Sequence, residues 1–300
     1  MVTTGEITLG LINGLTTGFL LFLAAVGLTM VFGVLNVLNF AHGSFYMLGA
    51  YFTWILTSPE LYGTSLSFFV GSFWISMILA VALVAVVGGI VEILFIRRIY
   101  DHDHIFQLLL TFALVLVIDF GVRIIWGTEF RTMSVPPIFD GQVSILGRTV
   151  PMYNVFIIAA GFLVAVVFWL LLNRTQIGKQ VRAAAEDRET TAAMGINVPV
   201  LYTGVFIVGS ALAGLGGALA APYQAIQPTM GENIIIEAFI VVVIGGLGSF
   251  TGAFVVSLAI GVISGLLFHL LPGLQSLAPY LLMILVLMIR PSGLFGGRSL

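Results

Sequence analysis

Two long stretches of the chain carry no formal charge: Asp, Glu, Lys and Arg are all absent between Ile7 and Pro59, and again between Ala238 and Ile289. A soluble domain cannot be wrapped around such runs, because charged side chains normally cover much of a surface in water. Across 300 residues there are only 11 basic and 13 acidic side chains, 8% of the sequence, against roughly 25% in an ordinary globular protein. Apolar residues make up 60%. At about 20 apolar residues per bilayer crossing, that content allows at most about nine spans. The apolar runs are continuous rather than alternating, which excludes a membrane β-barrel. The expectation is an all-α polytopic transmembrane bundle, a single domain over residues 1–300.

The spacing of the charges predicts where the spans fall. The first uncharged stretch has room for two, at about Leu9–Phe32 and Val34–Leu56. Others are expected near Phe68–Ile96, Ile105–Trp126, Met152–Leu172 and Leu201–Ala221. The second uncharged stretch then holds a short segment ending near Leu247, a span near Ala253–Leu270 and a last one near Leu277–Ile289. The count is eight or nine. Gly245–Gly252, "GGLGSFTG", cannot be smooth helix, and "GVLNVLNFAHG" is a candidate re-entrant element.

Arg97, Arg98, Arg174, Lys179, Arg182, Arg188, Arg290 and Arg298 fall on one side if the spans alternate, so that side is cytoplasmic. Residues 127–151 then form an extracytoplasmic loop, in which Pro136 and Pro137 favour an extended path, and the N-terminus lies outside. There is no Cys, hence no disulfide or thiolate metal site, and the N-terminus lacks the basic region of a secretory signal.

Gly10, Gly14 and Gly18 line one face of the first helix, and Gly261 and Gly265 repeat the spacing. Such faces let helix backbones approach closely, either inside the bundle or at a seam between subunits. The cytoplasmic loop 173–200 contains a helix-forming run, "GKQVRAAAED", after which Asp187 can cap a second short helix, Arg188–Met194. Gly195 suits the left-handed position that ends it, and Pro199 blocks continuation. This loop is either a solvated connection or a rod that seats in another protein.

Several polar groups fall at membrane depth. Asp119 and Arg123 are spaced i, i+4 and form a candidate intramembrane ion pair, for mutual neutralisation or as part of a gate. Asn36, Asn39 and His42 stand in an otherwise apolar stretch, as hydrogen-bonded structural groups or as a candidate solute path. Glu237 opens the short segment and can cap it. Asp101–His104, "DHDH", reads as a solvated turn. No metalloprotease, serine-hydrolase or phosphate-loop motif occurs, so no catalytic residue, cofactor or metal site is expected. Energy for active transport would have to come from a partner or an ion gradient.

Gly27–Tyr51, "GLTMVFGVLNVLNFAHGSFYMLGAY", resembles the N-terminal signature of LivH-type permeases of branched-chain amino acid ABC importers. Arg182–Val198 resembles the coupling loop of that family, and Val242–Gly265 and Arg290–Gly296 its C-terminal part. The resemblance implies a permease of the branched-chain amino acid/ribose type, working with a second, LivM-type permease in a heterodimer, two ATPase subunits and an extracytoplasmic solute-binding protein. Nucleic acid is not among the implied partners. It also implies that Arg182, Glu186, Asp187, Arg188, Ala193 and Gly195 couple the chain to an ATPase. Branched-chain amino acids are the favoured solute. Urea or short amides are the close alternative, and a stand-alone secondary transporter or channel the more distant one.

Overall fold

A computed structural model describes residues 4–58, 72–145 and 147–296. The part of the third expected span before Ser72, and Arg298, lie outside the described residues. In chain order the helices are α1 (Thr4–Leu35), α2 (His42–Thr57), α3 (Phe73–Leu94), α4 (His104–Trp126), α5 (Met152–Arg174), α6 (Gln176–Glu186), α7 (Arg188–Ala193), α8 (Val198–Ala220), α9 (Met230–Gly245), α10 (Phe250–Leu270) and α11 (Ala278–Ile289). Short 3-10 turns at Ile96–Ile99 and Pro272–Leu277 extend α3 and precede α11.

Among the described residues seven helices are long and apolar enough to cross a membrane, where the charge spacing predicts eight or nine spans. The difference lies in α2 and α9. Each has 16 residues. At 1.5 Å per residue that is about 24 Å, short of a hydrocarbon core of about 30 Å. Hydropathy runs straight through both interruptions, which fall at the "GVLNVLNFAHG" and "GGLGSFTG" stretches. Asn36 takes a left-handed backbone, φ 54°, and ends α1. The chain then runs back beside α1 without regular structure until His42, whose Nε2 donates to the Ala24 carbonyl at 3.0 Å. Ala24 is 11 residues from the end of α1, so α2 begins about 16 Å inside that end. The "GVLNVLNFAHG" stretch is therefore non-helical backbone at membrane depth, covered by protein.

The second interruption is closed by the C-terminus. Gly246 and Gly248 have φ of 95° and 80°, conformations open to glycine. The freed carbonyls of Ile244 and Gly245 accept from Leu294 N at 2.8 Å and Phe295 N at 3.2 Å. Ser249 caps α10 by accepting from Gly252 N at 3.1 Å. In the 127–151 loop the expected extended path is instead a 3-10 turn at Pro137–Phe139 and a hairpin of β1 (Gln142–Ile145) with β2 (Arg148–Pro151). Gly5 lies against Arg148, putting the start of α1 on the same side as this loop.

Gly10, Gly14 and Gly18 of α1 face Gly265, Gly261 and Leu258 of α10. A Cβ on Gly14 would sit 2.6 Å from the Gly261 carbonyl oxygen, and one on Gly261 would sit 2.3 Å from that of Gly14. The small-residue faces thus meet within the chain. The same device joins Gly27 of α1 to Gly209 of α8, Gly49 of α2 to Gly214 of α8, and Gly43 of α2 to Gly231 of α9. With lipid as apolar as leucine, van der Waals contact between backbones is what holds such helices together.

Gly14→Ala and Gly121→Ala should therefore behave oppositely. The first forces α1 and α10 apart and should cost about 1–3 kcal/mol, the range for overpacking. A methyl group on Gly121 would have no atom within 4 Å, so there the better helix propensity of Ala should be neutral or stabilising by up to about 1 kcal/mol. Thermal unfolding of the two variants in the same detergent checks the contrast.

Candidate functional site

The polar face that carries the loop 173–200 is organised around α7. Asp187 accepts from Thr190 N at 3.0 Å and from the Thr190 hydroxyl, and Gly195 takes φ 85° to end the turn. Those two hydrogen bonds hold the Asp187 carboxyl below its ordinary value of 3.8. A depressed folded-state value means that the cap's contribution is complete above the ordinary carboxylate range and is lost only as pH falls through it. Across pH 5–8 the helix start keeps its anion. Glu186, Asp187, Arg188, Glu189, Ala192, Ala193 and Met194 are all exposed while Thr191 is buried, so α7 rests on one face and presents the rest outward with an apolar tip.

What tethers α7 is Arg188. Its Nη1 donates to Asp101 at 2.9 Å and its guanidinium lies 5.7 Å from the centre of the Tyr202 ring. Tyr202, near the start of α8, meets Tyr100 edge-on at 5.5 Å. Tyr100 in turn donates to Glu92 Oε1 at 2.7 Å. Burial, the Glu92 hydrogen bond and the nearby Glu92 charge raise the Tyr100 phenol well above its ordinary value, so it remains a donor at any physiological pH. Glu92, fully buried at the end of α3, also takes Arg97 Nε at 3.2 Å and the Thr203 hydroxyl of α8 at 2.8 Å. Hence the "DHDH" turn is more than solvated: its first residue is the anchor of α7. The connection of Glu92 to Tyr100 and Thr203 escapes sequence reading, because spacing reveals only its neighbour Arg97. Arg182 belongs to α6, where its guanidinium donates to the Leu172 carbonyl at the end of α5.

The membrane-depth residues are separated by the fold. Asp119 makes no ion pair with Arg123, unlike Arg97 with Glu92, Arg131 with Glu129 and Arg188 with Asp101. Asp119 instead accepts from the Ser44 hydroxyl of α2 at 3.1 Å, tying α4 to α2. Its i, i+4 spacing from Arg123 is real, but the acid is turned into the bundle interior. Asn36 shapes the end of α1. Asn39 is fully buried, and neither its side-chain oxygen nor its nitrogen has a hydrogen-bond partner among the described residues. His42 is wedged between α1 and α8, where a Cβ on Gly27 would meet its ring at 2.9 Å. Glu237 is seven residues inside α9 rather than at its start, so it caps nothing. It faces a hollow between α1 and α9 together with Thr17, Tyr46 and Asn233.

The family described as "Branched-chain amino acid transport system / permease component" matches residues 10–287. The chain is 27% identical over 292 residues to the high-affinity branched-chain amino acid transport system permease protein LivH of Salmonella typhimurium, covering 95% of this chain and 94% of that protein. It is 29% identical over 298 residues to the corresponding permease protein BraD of Pseudomonas aeruginosa, with the same coverage of both. Against LivH of Escherichia coli K12 the identity is 26% over 292 residues, again covering 95% and 94%. No solved structure matches the chain.

Replacing Glu92 by Leu should lower stability by about 1–3 kcal/mol, the range for stranding buried hydrogen-bond donors. The loss stays below that of a fully buried ion pair because Arg97 is 38% exposed and can rehydrate. Thermal unfolding of the purified variant measures it, and proteolysis between α6 and α8 should quicken as α7 loosens.

Proposed function

The chain belongs to the permease family of branched-chain amino acid transport systems, and from that premise we propose that it forms, with a second and unlike permease subunit, the path by which an ATP-driven importer carries leucine, isoleucine or valine inward. Its family makes it a permease subunit of an ABC importer and a multi-pass membrane protein. In the proposed assembly, two ATPase subunits act from the cytoplasm and a solute-binding protein delivers from outside.

The observation that carries this reading is the mounting of α7. An exposed, capped, six-residue helix is poorly stabilised on its own, and isolated helices this short do not persist in water. Its order comes from Asp187, Gly195 and the Arg188 contacts to Asp101 and Tyr202. Those contacts reach α3 and α8 rather than only the neighbouring loop. A push delivered to α7 is therefore felt at the inner ends of two spans. Glycine-lined interfaces then allow helices to shift against each other without side chains interlocking. ATP-driven closure of the ATPase pair would move α7, and α3 and α8 with it, opening the bundle alternately to the two sides. Ala193 and Met194 supply an apolar contact for the ATPase, and Glu186 and Glu189 an acidic rim.

Asp187→Ala combined with Gly195→Val removes the cap and puts a β-branched residue at φ 85°. ATP-dependent leucine uptake by the assembled importer in liposomes should fall at least tenfold, while membrane insertion and pairing with the second permease persist. Uptake at the unaltered rate would contradict the coupling role of α7. Transport by this chain alone, without an ATPase, would contradict the importer reading itself.

A further inference from the structure

Two adjoining hollows at the middle depth of the bundle share Thr17, Leu21, Asn233 and Glu237. Their volumes are about 200 and 300 Å3. Together they reach the lower end of the range for small-molecule pockets, roughly 300–1,000 Å3. Thr17 lies near the centre of the 32-residue helix α1, so the space is far from both ends of the longest span. One side is built by α1 and α9. The other is built by the Pro272–Leu277 turn, which contributes Gln275, and by α10 and α11.

Glu237 is half-buried there and makes no hydrogen bond or ion pair among the described residues. No Lys, Arg or His lines either hollow. An acid at this depth calls for a partner, and the fold does not supply a cation. The remaining lining is of two kinds. The amides of Gln224, Asn233 and Gln275 are neutral donors and acceptors, while Leu21 and Ile260 are aliphatic. One carboxylate, several amides and an apolar wall match one class of solute in particular: a zwitterion with a free primary ammonium, a carboxylate and an aliphatic side chain.

We propose that this double hollow is a solute subsite on the translocation path, in which the Glu237 carboxylate receives the ammonium group of an amino acid. The site rests on the transport reading above and sharpens it. A path for neutral urea or a short amide has no use for an uncompensated carboxylate, whereas an amino acid brings the missing positive charge. The amides of Asn233 and Gln275 then serve its carboxylate, and Leu21 and Ile260 its side chain. No covalent step is involved.

The complete importer, reconstituted in liposomes with its ATPases and solute-binding protein, provides the test, with radiolabelled leucine as probe. Glu237→Gln keeps the shape and removes the charge, and leucine uptake should fall at least tenfold. Glu237→Asp should recover part of it. A readout that a purely structural role would not move comes from labelling. The chain has no Cys, so Ser264→Cys introduces a single thiol into the hollow wall. Saturating leucine should slow its reaction with a small thiol reagent at least threefold, and Glu237→Gln in the same background should abolish that protection. Wild-type uptake by Glu237→Gln, or Ser264→Cys labelling that leucine leaves unchanged, would overturn the subsite while leaving the importer reading intact. A wild-type importer that carries no leucine would overturn that reading and the subsite with it.

Discussion

Backbone-to-backbone contact between glycines sets the terms for everything else in this molecule. α1 meets α10 through Gly10, Gly14, Gly261 and Gly265 at separations that leave no room for a single added methyl group. α1 meets α8, and α2 meets α8 and α9, through further glycines in the same way. In lipid, helices gain little from burying apolar side chains, so the closeness of their backbones largely decides which helices pair. It also decides what the bundle can do: a contact without interlocking side chains resists separation and tolerates sliding. Helices so joined can move as units when one end is pushed.

The polar groups are arranged around that property. A chain of contacts leads from α7 through Arg188 to Asp101 and Tyr202, from Tyr202 to Tyr100, and from Tyr100 to the buried Glu92. Glu92 holds the ends of α3 and α8 together through Arg97 and Thr203. At middle depth, where α2 starts and α9 runs beside α1, the continuity of the spans is broken and polar side chains gather. Broken backbone is tolerated at such depth only where protein or a cavity covers it. Here protein covers the stretch after Asn36, while the break after Gly245 lies beside Gly33 near the end of α1 and is closed by the C-terminal turn. The proposed lever acts on the ends of α3 and α8, whereas the proposed path lies among α1, α9, α10 and α11.

Much of this is readable in the sequence because the signals are local. Charge-free runs mark the membrane segments, the four-residue glycine spacing marks the close-packing faces, and Asp187 with Gly195 bounds the short helix of the loop 173–200. Hydropathy does not distinguish the 16-residue α2 and α9 from complete spans, since the apolar runs continue straight through the breaks. The glycine run Gly245–Gly252 and the "GVLNVLNFAHG" stretch point to the breaks, and the left-handed backbone at Asn36 and the positive φ at Gly246 fix where the helices stop. Asp119 and Arg123 look like a pair because they are neighbours on one helix, yet the acid finds Ser44, 75 residues away. Glu237 looks like a cap, and the hollow it faces is assembled from residues distant in sequence. Spacing along one helix shows which residues could pair but not whether they do, and contacts made by tertiary packing cannot be read from it at all.

The proposed seating of an ATPase subunit on α7 is directly measurable because the chain has no native cysteine. A Met194→Cys chain, assembled with ATPase subunits bearing surface thiols along their permease-facing groove, should form a disulfide-linked permease–ATPase product on mild oxidation. Its yield should change between nucleotide-free and ATP-bound states. A complex that transports leucine but yields no such product from position 194, while an exposed position outside the cytoplasmic loop does crosslink to the ATPase, would contradict the account.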